Sequence, residues 1–218
     1  RAIPPTIEMV GFLAQIIMTE AEEIEKKSFS IIERKLGKFP YLEREVVKRV
    51  IHSTADYTFS DLLVFHENAI MQALKLIRNR VKVITDVNMV RAGIKNSSLI
   101  ESTFCFINNS EVIESAEKQG ITRARASFRN QAKEIEGSFV VIGNSPTALF
   151  ELCNLIDKGI KPGFVVASPV GFVGAAESKE EILKRKIPSI AVRGNRGGSS
   201  VAVAITNALL ILAERDEL

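Results

Sequence analysis

Apolar residues recur at intervals of three and four from position 7 to position 36, through FLAQIIMTEAEEIEKKSFSIIERKL. That is the period of helices with one buried face, and Gly37 stands where such a helix stops. The spacing returns in YLEREVVKRVIHS, entered through Pro40 in the favoured first-turn position, and again over positions 67–78. Beyond this point the pattern changes. VKVIT, STFCFI, SFVVIG, GFVVAS and PSIAVR are short β-branched runs, mostly bounded by Gly, Pro or Asn and separated by amphipathic stretches. Alternation of this kind predicts crossover units around a mainly parallel sheet. The expected fold is therefore α/β: a single domain with a mainly parallel sheet flanked by helices and preceded by N-terminal helices.

Two helix starts are legible. Ser145-Pro146 supplies a hydroxyl N-cap followed by a first-turn proline, and the last helix begins near Ser199, after RGNRGGSS. In open parallel sheets the ligand lies outside the carboxyl ends of the strands. Asp86, Asn144 and the loops 168–179 and 193–199 fall there.

Composition narrows the class. The 218 residues fit one α/β domain with a substantial core, and no repeat, low-complexity tract or linker interrupts them. A net charge of +3 against 29 basic residues, 6% aromatic content and no Trp make no case for an oligonucleotide surface. No apolar run is long enough to span a membrane, and RAIPPTIEMV does not read as a signal peptide. The terminal RDEL has no entry signal to accompany it and is read as coincidence. Cys105 and Cys153 belong to no metal-spaced cluster and read as buried, reduced thiols of a cytoplasmic protein.

Candidate chemistry begins with ASPVGFVGAAESK, at positions 167–179. Its G-x-x-G spacing matches neither the dinucleotide fingerprint nor the triphosphate loop, and RGNRGGSS fails the same comparison. Glycines still let a backbone approach a ligand, and helix N-termini present free N–H donors, so an anion site stands beside the simpler reading of tight turns. His52 and His66 are too few for a metal site of several imidazoles. By position alone, His52 is a packed or capping group at the end of the second helix, and His66 a helix-entry residue. Should the protein move protons near neutral pH, His52 is the first candidate. Arg125, Arg129 and Lys133 share a helix face expected to be solvated. Arg123, beside Thr122 in the first turn, is the better candidate for clamping a carboxylate. No nucleophile elbow, H-E-x-x-H helix or C-x-x-C pair is present.

IEKKSFSIIE, VVKRVIHST, ITDVNMVRAGI, GITRARAS, GSFVVIGNSPTALFEL, PVGFVGAAESKE and IAVRGNRGGSSVAVAITNAL, in this order, resemble the precorrin-8X methylmutases of cobalamin biosynthesis. The resemblance covers roughly residues 22–208, leaving 1–21 as an N-terminal helical extension to a methylmutase-like domain at 22–218. It implies a cytoplasmic homodimeric isomerase without a cofactor or metal. The implied reaction shifts a methyl group from C-11 to C-12 of a corrinoid tetrapyrrole, giving hydrogenobyrinate, or cobyrinate when cobalt is in place. A non-catalytic tetrapyrrole carrier on the same scaffold is the alternative.

The resemblance assigns the essential histidine to His52 and substrate contacts to Ser28 and Thr122-Arg123. Asp86 and Met89 lie in a matching D-x-x-M segment, while Lys179 and Arg193 flank the glycine-rich loops; position makes them expected substrate contacts, with Gly171 and Gly174 bringing backbone donors close to carboxylates. After His52 the chain reads STAD, where the family often has small residues including glycine, so the backbone there is expected to differ.

Overall fold

The computed structural model describes residues 19–95 and 102–215. Two compact units divide the chain, 1–35 and 36–218. In the first, α1 (Glu20–Glu33) starts with a capping box: the Thr19 hydroxyl accepts the Glu22 N–H at 3.3 Å, and the Glu22 carboxylate accepts the Thr19 N–H at 2.7 Å. The earlier part of the expected helical stretch, and residues 1–18 of the proposed extension, lie outside the described residues.

The second unit is built on six strands: β1 (Leu63–His66), β2 (Val83–Thr85), β3 (Thr103–Phe104), β4 (Phe139–Ile142), β5 (Phe164–Ala167) and β6 (Ser189–Val192). Their spatial order is β1-β6-β5-β4-β2-β3, parallel throughout except for the antiparallel edge pair β1–β6. The last five are the predicted strands. β1 was not expected, because four residues of a half-buried edge strand leave almost no pattern between two helices. His66 therefore ends a strand instead of entering a helix, and its Nε2 pairs with the Arg185 carbonyl at 3.0 Å.

Helices cover both faces, which is why β4 and β5 are buried at every position. On one face Val140, Ile142, Val165 and Ala167 join Phe128 of α7 (Arg123–Asn130), Leu149 and Leu152 of α9 (Pro146–Asp157), and Ile182 of α10 (Ala175–Leu183) in one apolar cluster. On the other, α11 (Ser199–Glu214) lies over β4 and β5, beside α2 (Tyr41–Thr54), α4 (Ala69–Arg78) and α5 (Asn88–Gly93). Pro40 is the N-cap of α2, one residue earlier than expected. Cys153 is buried as expected, whereas Cys105 is only partly so.

The basic face expected to be solvated is instead engaged. Glu151 of α9, only 2% exposed, receives Arg125 Nε at 2.9 Å and Arg129 through Nε at 2.9 Å and Nη2 at 2.8 Å. Sequence spacing shows which residues share a face but says nothing of the partner helix, which here offers a carboxylate. Lys133 falls on a separate short helix, α8 (Ala132–Ile135).

Hydrogen bonds from Arg129, with Arg125 assisting, hold the Glu151 carboxyl down at about 2 from an ordinary 4.5, against the opposing effect of burial. A depressed folded-state pKa contributes stability that is fully present above the unfolded value and is lost as pH falls from about 4.5 toward 2. After allowance for screening through the partly exposed arginines, the contribution is on the order of 2 kcal/mol. Urea midpoints at pH 7 and pH 3 should therefore differ less for Glu151→Gln than for the wild-type chain, and equal differences would contradict this assignment.

Candidate functional site

Consecutive connections diverge between β2 and β4. The chain leaves β2 for β3 on one side, and leaves β4 for β5 and β6 on the other. Such a divergence opens a crevice at the carboxyl ends of the strands, next to the N-terminus of the helix that follows. Here the crevice is filled from within. Asp86 is fully buried; its Oδ1 accepts the Gly143 N–H at 3.0 Å, and its Oδ2 accepts those of Asn144 at 2.8 Å and Ser145 at 2.7 Å. Burial raises the Asp86 pKa above its ordinary value, and the three N–H donors pull against that shift. A phosphate at this helix N-terminus would find its donors already taken by a carboxylate. Asp86 was expected to touch substrate; the structure makes it an internal anchor, because both oxygens are spent on the turn.

Above this anchor two helix starts meet. Thr122 caps α7 by accepting the Arg125 N–H at 3.2 Å, and Ser145 caps α9 by accepting the Ala148 N–H at 3.3 Å. Thr147 joins them, with its hydroxyl 2.6 Å from that of Thr122 and 2.9 Å from that of Ser145. Arg123 is exposed at the first position of α7, beside this chain of hydroxyls. The Arg129–Glu151 clamp presses α7 against α9 and so holds the two starts together.

The two glycine-rich loops are laced to each other. Gly171 donates its N–H to the Asn195 carbonyl at 3.0 Å, and Gly198 donates to the Ser168 carbonyl at 2.7 Å. A Cβ on Gly197 would lie 2.2 Å from the Ser168 oxygen, so only glycine permits the approach. Gly174, with φ of +75°, turns the chain into α10 as its N-cap.

Lys179 of α10 closes the lacing. It is fully buried, and its Nζ donates to the Pro169 carbonyl at 2.9 Å and to the Arg196 carbonyl at 2.7 Å, one from each loop. Burial pushes its ammonium down to about 8 from an ordinary 10.5. Lys179 does not stand free for a substrate arm, because its donors hold the loops, and the Gly171 N–H serves the same end.

What the lacing leaves on the surface is apolar. Phe172 is 93% exposed and Val173 89%, with Val170 beside them in sequence and Met89, at 72%, on the first turn of α5. Arg193 follows β6, is exposed and pairs with Glu180 at 3.6 Å.

The register Leu63↔Val192 brings the chain before β1 to this same edge, including α3 (Phe59–Leu62) and the end of α2. His52 lies exposed in the last turn of α2, which Ala55 ends in the left-handed conformation with φ of +54°. Thus His52, Met89, Thr122, Arg123, Gly174 and Arg193 all lie at the carboxyl edge. Ser28 belongs to α1, in the first unit. Sequence reasoning passed over Phe172, Val173, Thr147 and Arg196. An apolar pair between two glycines in V-G-F-V-G was a signal for the first two; nothing local marked the others.

The carboxyl edge of this open α/β sheet thus closes its own nucleotide crevice and presents apolar tips, arginines and one imidazole. The precorrin-8X methylmutase (CbiC) family model matches residues 23–212, and the chain belongs to that family. It is 42% identical over 197 residues to a cobalt-precorrin-8 methylmutase of Methanocaldococcus jannaschii, spanning 90% of this chain and 92% of the relative. A protein of the same description from Priestia megaterium is 43% identical over 91% of each chain. A precorrin-8X methylmutase of Pseudomonas aeruginosa is 36% identical over 87% of this chain and 95% of its own. A solved precorrin-8X methylmutase from Thermus thermophilus superposes with a TM-score of 0.80 at 33% identity, covering 88% of this chain and 95% of that one.

Replacing Asp86 by Asn puts an amide where three backbone donors require acceptors, and at least one N–H then loses its partner inside the protein. Unfolding in urea should show a loss on the order of 1–3 kcal/mol. An unchanged midpoint would mean that the anchor is dispensable.

Proposed function

We propose that the chain is a precorrin-8X methylmutase: an isomerase that moves a methyl group from C-11 to C-12 of a corrin-type macrocycle, with His52 as the proton-exchanging group. Family membership over residues 23–212 is the observation that carries this reading. Placement of His52 at the edge where the glycine-rich loops and the Thr122-Arg123 helix start converge supports it.

Substrate and product are isomers, so a proton delivered at one ring position must be recovered from another. A single imidazole, able to give and take near neutral pH, suffices for both transfers. The methyl shift breaks one carbon–carbon bond and forms another within one molecule, and it draws on no nucleophile or hydride carrier. What the protein must supply is a rigid surface that holds the macrocycle in its reactive shape.

Arg123 and Arg193, both exposed, suit the acetate and propionate arms, as bidentate partners of carboxylate. Met89, Phe172 and Val173 suit the apolar face of the ring. Ser28 enters as a further substrate contact on the strength of the resemblance alone. A homodimer belongs to the same proposal, since a second copy would cover part of the exposed apolar rim. Among the described residues no helix is long and apolar enough to cross a membrane, and no three His, Cys, Asp or Glu side chains form a metal-binding group. Relatives named for the cobalt-bearing substrate run from 36% to 43% identity, against 36% and 33% for the two named above for precorrin-8X. On that ground the cobalt-loaded macrocycle is the first to assay.

Turnover is followed by absorbance, because the shift lengthens conjugation. His52→Ala should lower kcat by about 10²- to 10⁴-fold while hydrogenobyrinate still titrates the protein with nearly unchanged affinity. Wild-type turnover in this variant would end the reading, and binding without any turnover in the wild-type chain would identify a carrier.

A further inference from the structure

The geometry points to Arg196 as a positioning residue that fixes His52 against the glycine-rich loops. This inference rests on the function proposed above. Arg196 lies at the centre of the second loop, and its side chain reaches back across the site edge to the segment that follows α2. The guanidinium pairs with Asp56 and donates to the Thr58 hydroxyl, and its Cζ lies over the Phe59 ring, 4.8 Å from the centroid. Asp56 in turn shapes its own turn: its Oδ1 accepts the Thr58 N–H at 2.9 Å and the Thr58 hydroxyl at 2.7 Å. His52 lies one helical turn before Asp56, separated from it only by the left-handed Ala55 and the end of the helix. Arg196 is also tied on its main-chain side, where its carbonyl accepts from the buried Lys179 ammonium at 2.7 Å.

Arg196 thus has two ends. Its backbone belongs to the laced loops, and its side chain grips the turn that terminates the histidine-bearing helix. A planar guanidinium can bind a carboxylate, reach a hydroxyl and stack on an aromatic face at once, which a lysine cannot do. An exposed salt bridge in isolation contributes little to stability. Here its value lies in geometry, because it joins the turn that ends the histidine-bearing helix to the laced loops. A shift of about 1 Å in a catalytic group costs on the order of a hundredfold in rate.

Arg196→Gln and Asp56→Asn test the inference, and both side chains are partly exposed, at 47% and 24%, so neither substitution opens the core. The chain has only two histidines, so its imidazole spectrum contains two ring systems, assigned by the loss of one in His52→Ala. Each variant should move the His52 signals and leave those of His66 in place, since His66 lies at the opposite end of β1. Each should also lower kcat by about 10- to 100-fold, with hydrogenobyrinate affinity changed less than about twofold, and the double variant should be no worse than the worse single one. Unmoved His52 signals in both variants would overturn the inference. So would weakened hydrogenobyrinate binding at unchanged kcat in Arg196→Gln alone, which would make Arg196 a ligand of a substrate carboxylate. Wild-type turnover in His52→Ala would defeat the proposed function, while the spectral comparison would still decide whether Arg196 positions the imidazole.

Discussion

Asp86 is the constraint on which the rest of the edge depends. A carboxylate with no solvent exposure has to satisfy its lone pairs inside the protein, and the three N–H groups of residues 143–145 do so. That single requirement ties the end of β2 to the end of β4, occupies the start of α9 and aims Ser145 and Thr147 at Thr122. The α7 start is then held in place by Arg125 and Arg129 on Glu151. Two buried carboxylates, neither of them on the surface that meets a ligand, thereby set the position of Arg123.

The other half of the edge follows a similar logic with the opposite charge. Lys179 is a buried ammonium whose donors are spent on carbonyls from two loops, and Gly197 allows those loops to approach to a distance that no side chain permits. Rigid loops projecting Phe172 and Val173 are costly to expose in water. Their exposure is intelligible if the surface meets a large apolar ring. Asp86 and Lys179 lie below this surface, while Phe172 and Val173 are exposed on it beside Arg123 and Arg193.

Legibility in the sequence followed the range of the interactions involved. Strands β2, β4, β5 and β6 were readable because burial on both faces turns each into an apolar run bounded by turn residues, and β3, a short edge strand, was readable from the apolar run STFCFI that contains it. The start of α9 was readable because capping is local chemistry, and that of α11 because the glycine-rich RGNRGGSS precedes it. β1 escaped because an edge strand of four residues owes its existence to the neighbour it pairs with. Residue types that suit a site were also recognised, and two of them, Asp86 and Lys179, are buried and bonded to the protein's own backbone. A carboxylate or an ammonium near a loop looks the same in sequence whether it faces the ligand or the protein.

The sequence by itself determined the fold class, the order of the parallel strands along the chain and, through seven ordered segments, the family. These properties rest on contacts between neighbours in the chain or on periodicities within one element. Only the tertiary structure decided which polar groups are spent internally and which remain for a ligand. Asp86 lies 57 residues from Gly143, Lys179 17 from Arg196, and Arg196 138 from Thr58. At such separations a side chain's role depends on what the fold places opposite it, and no local pattern records that.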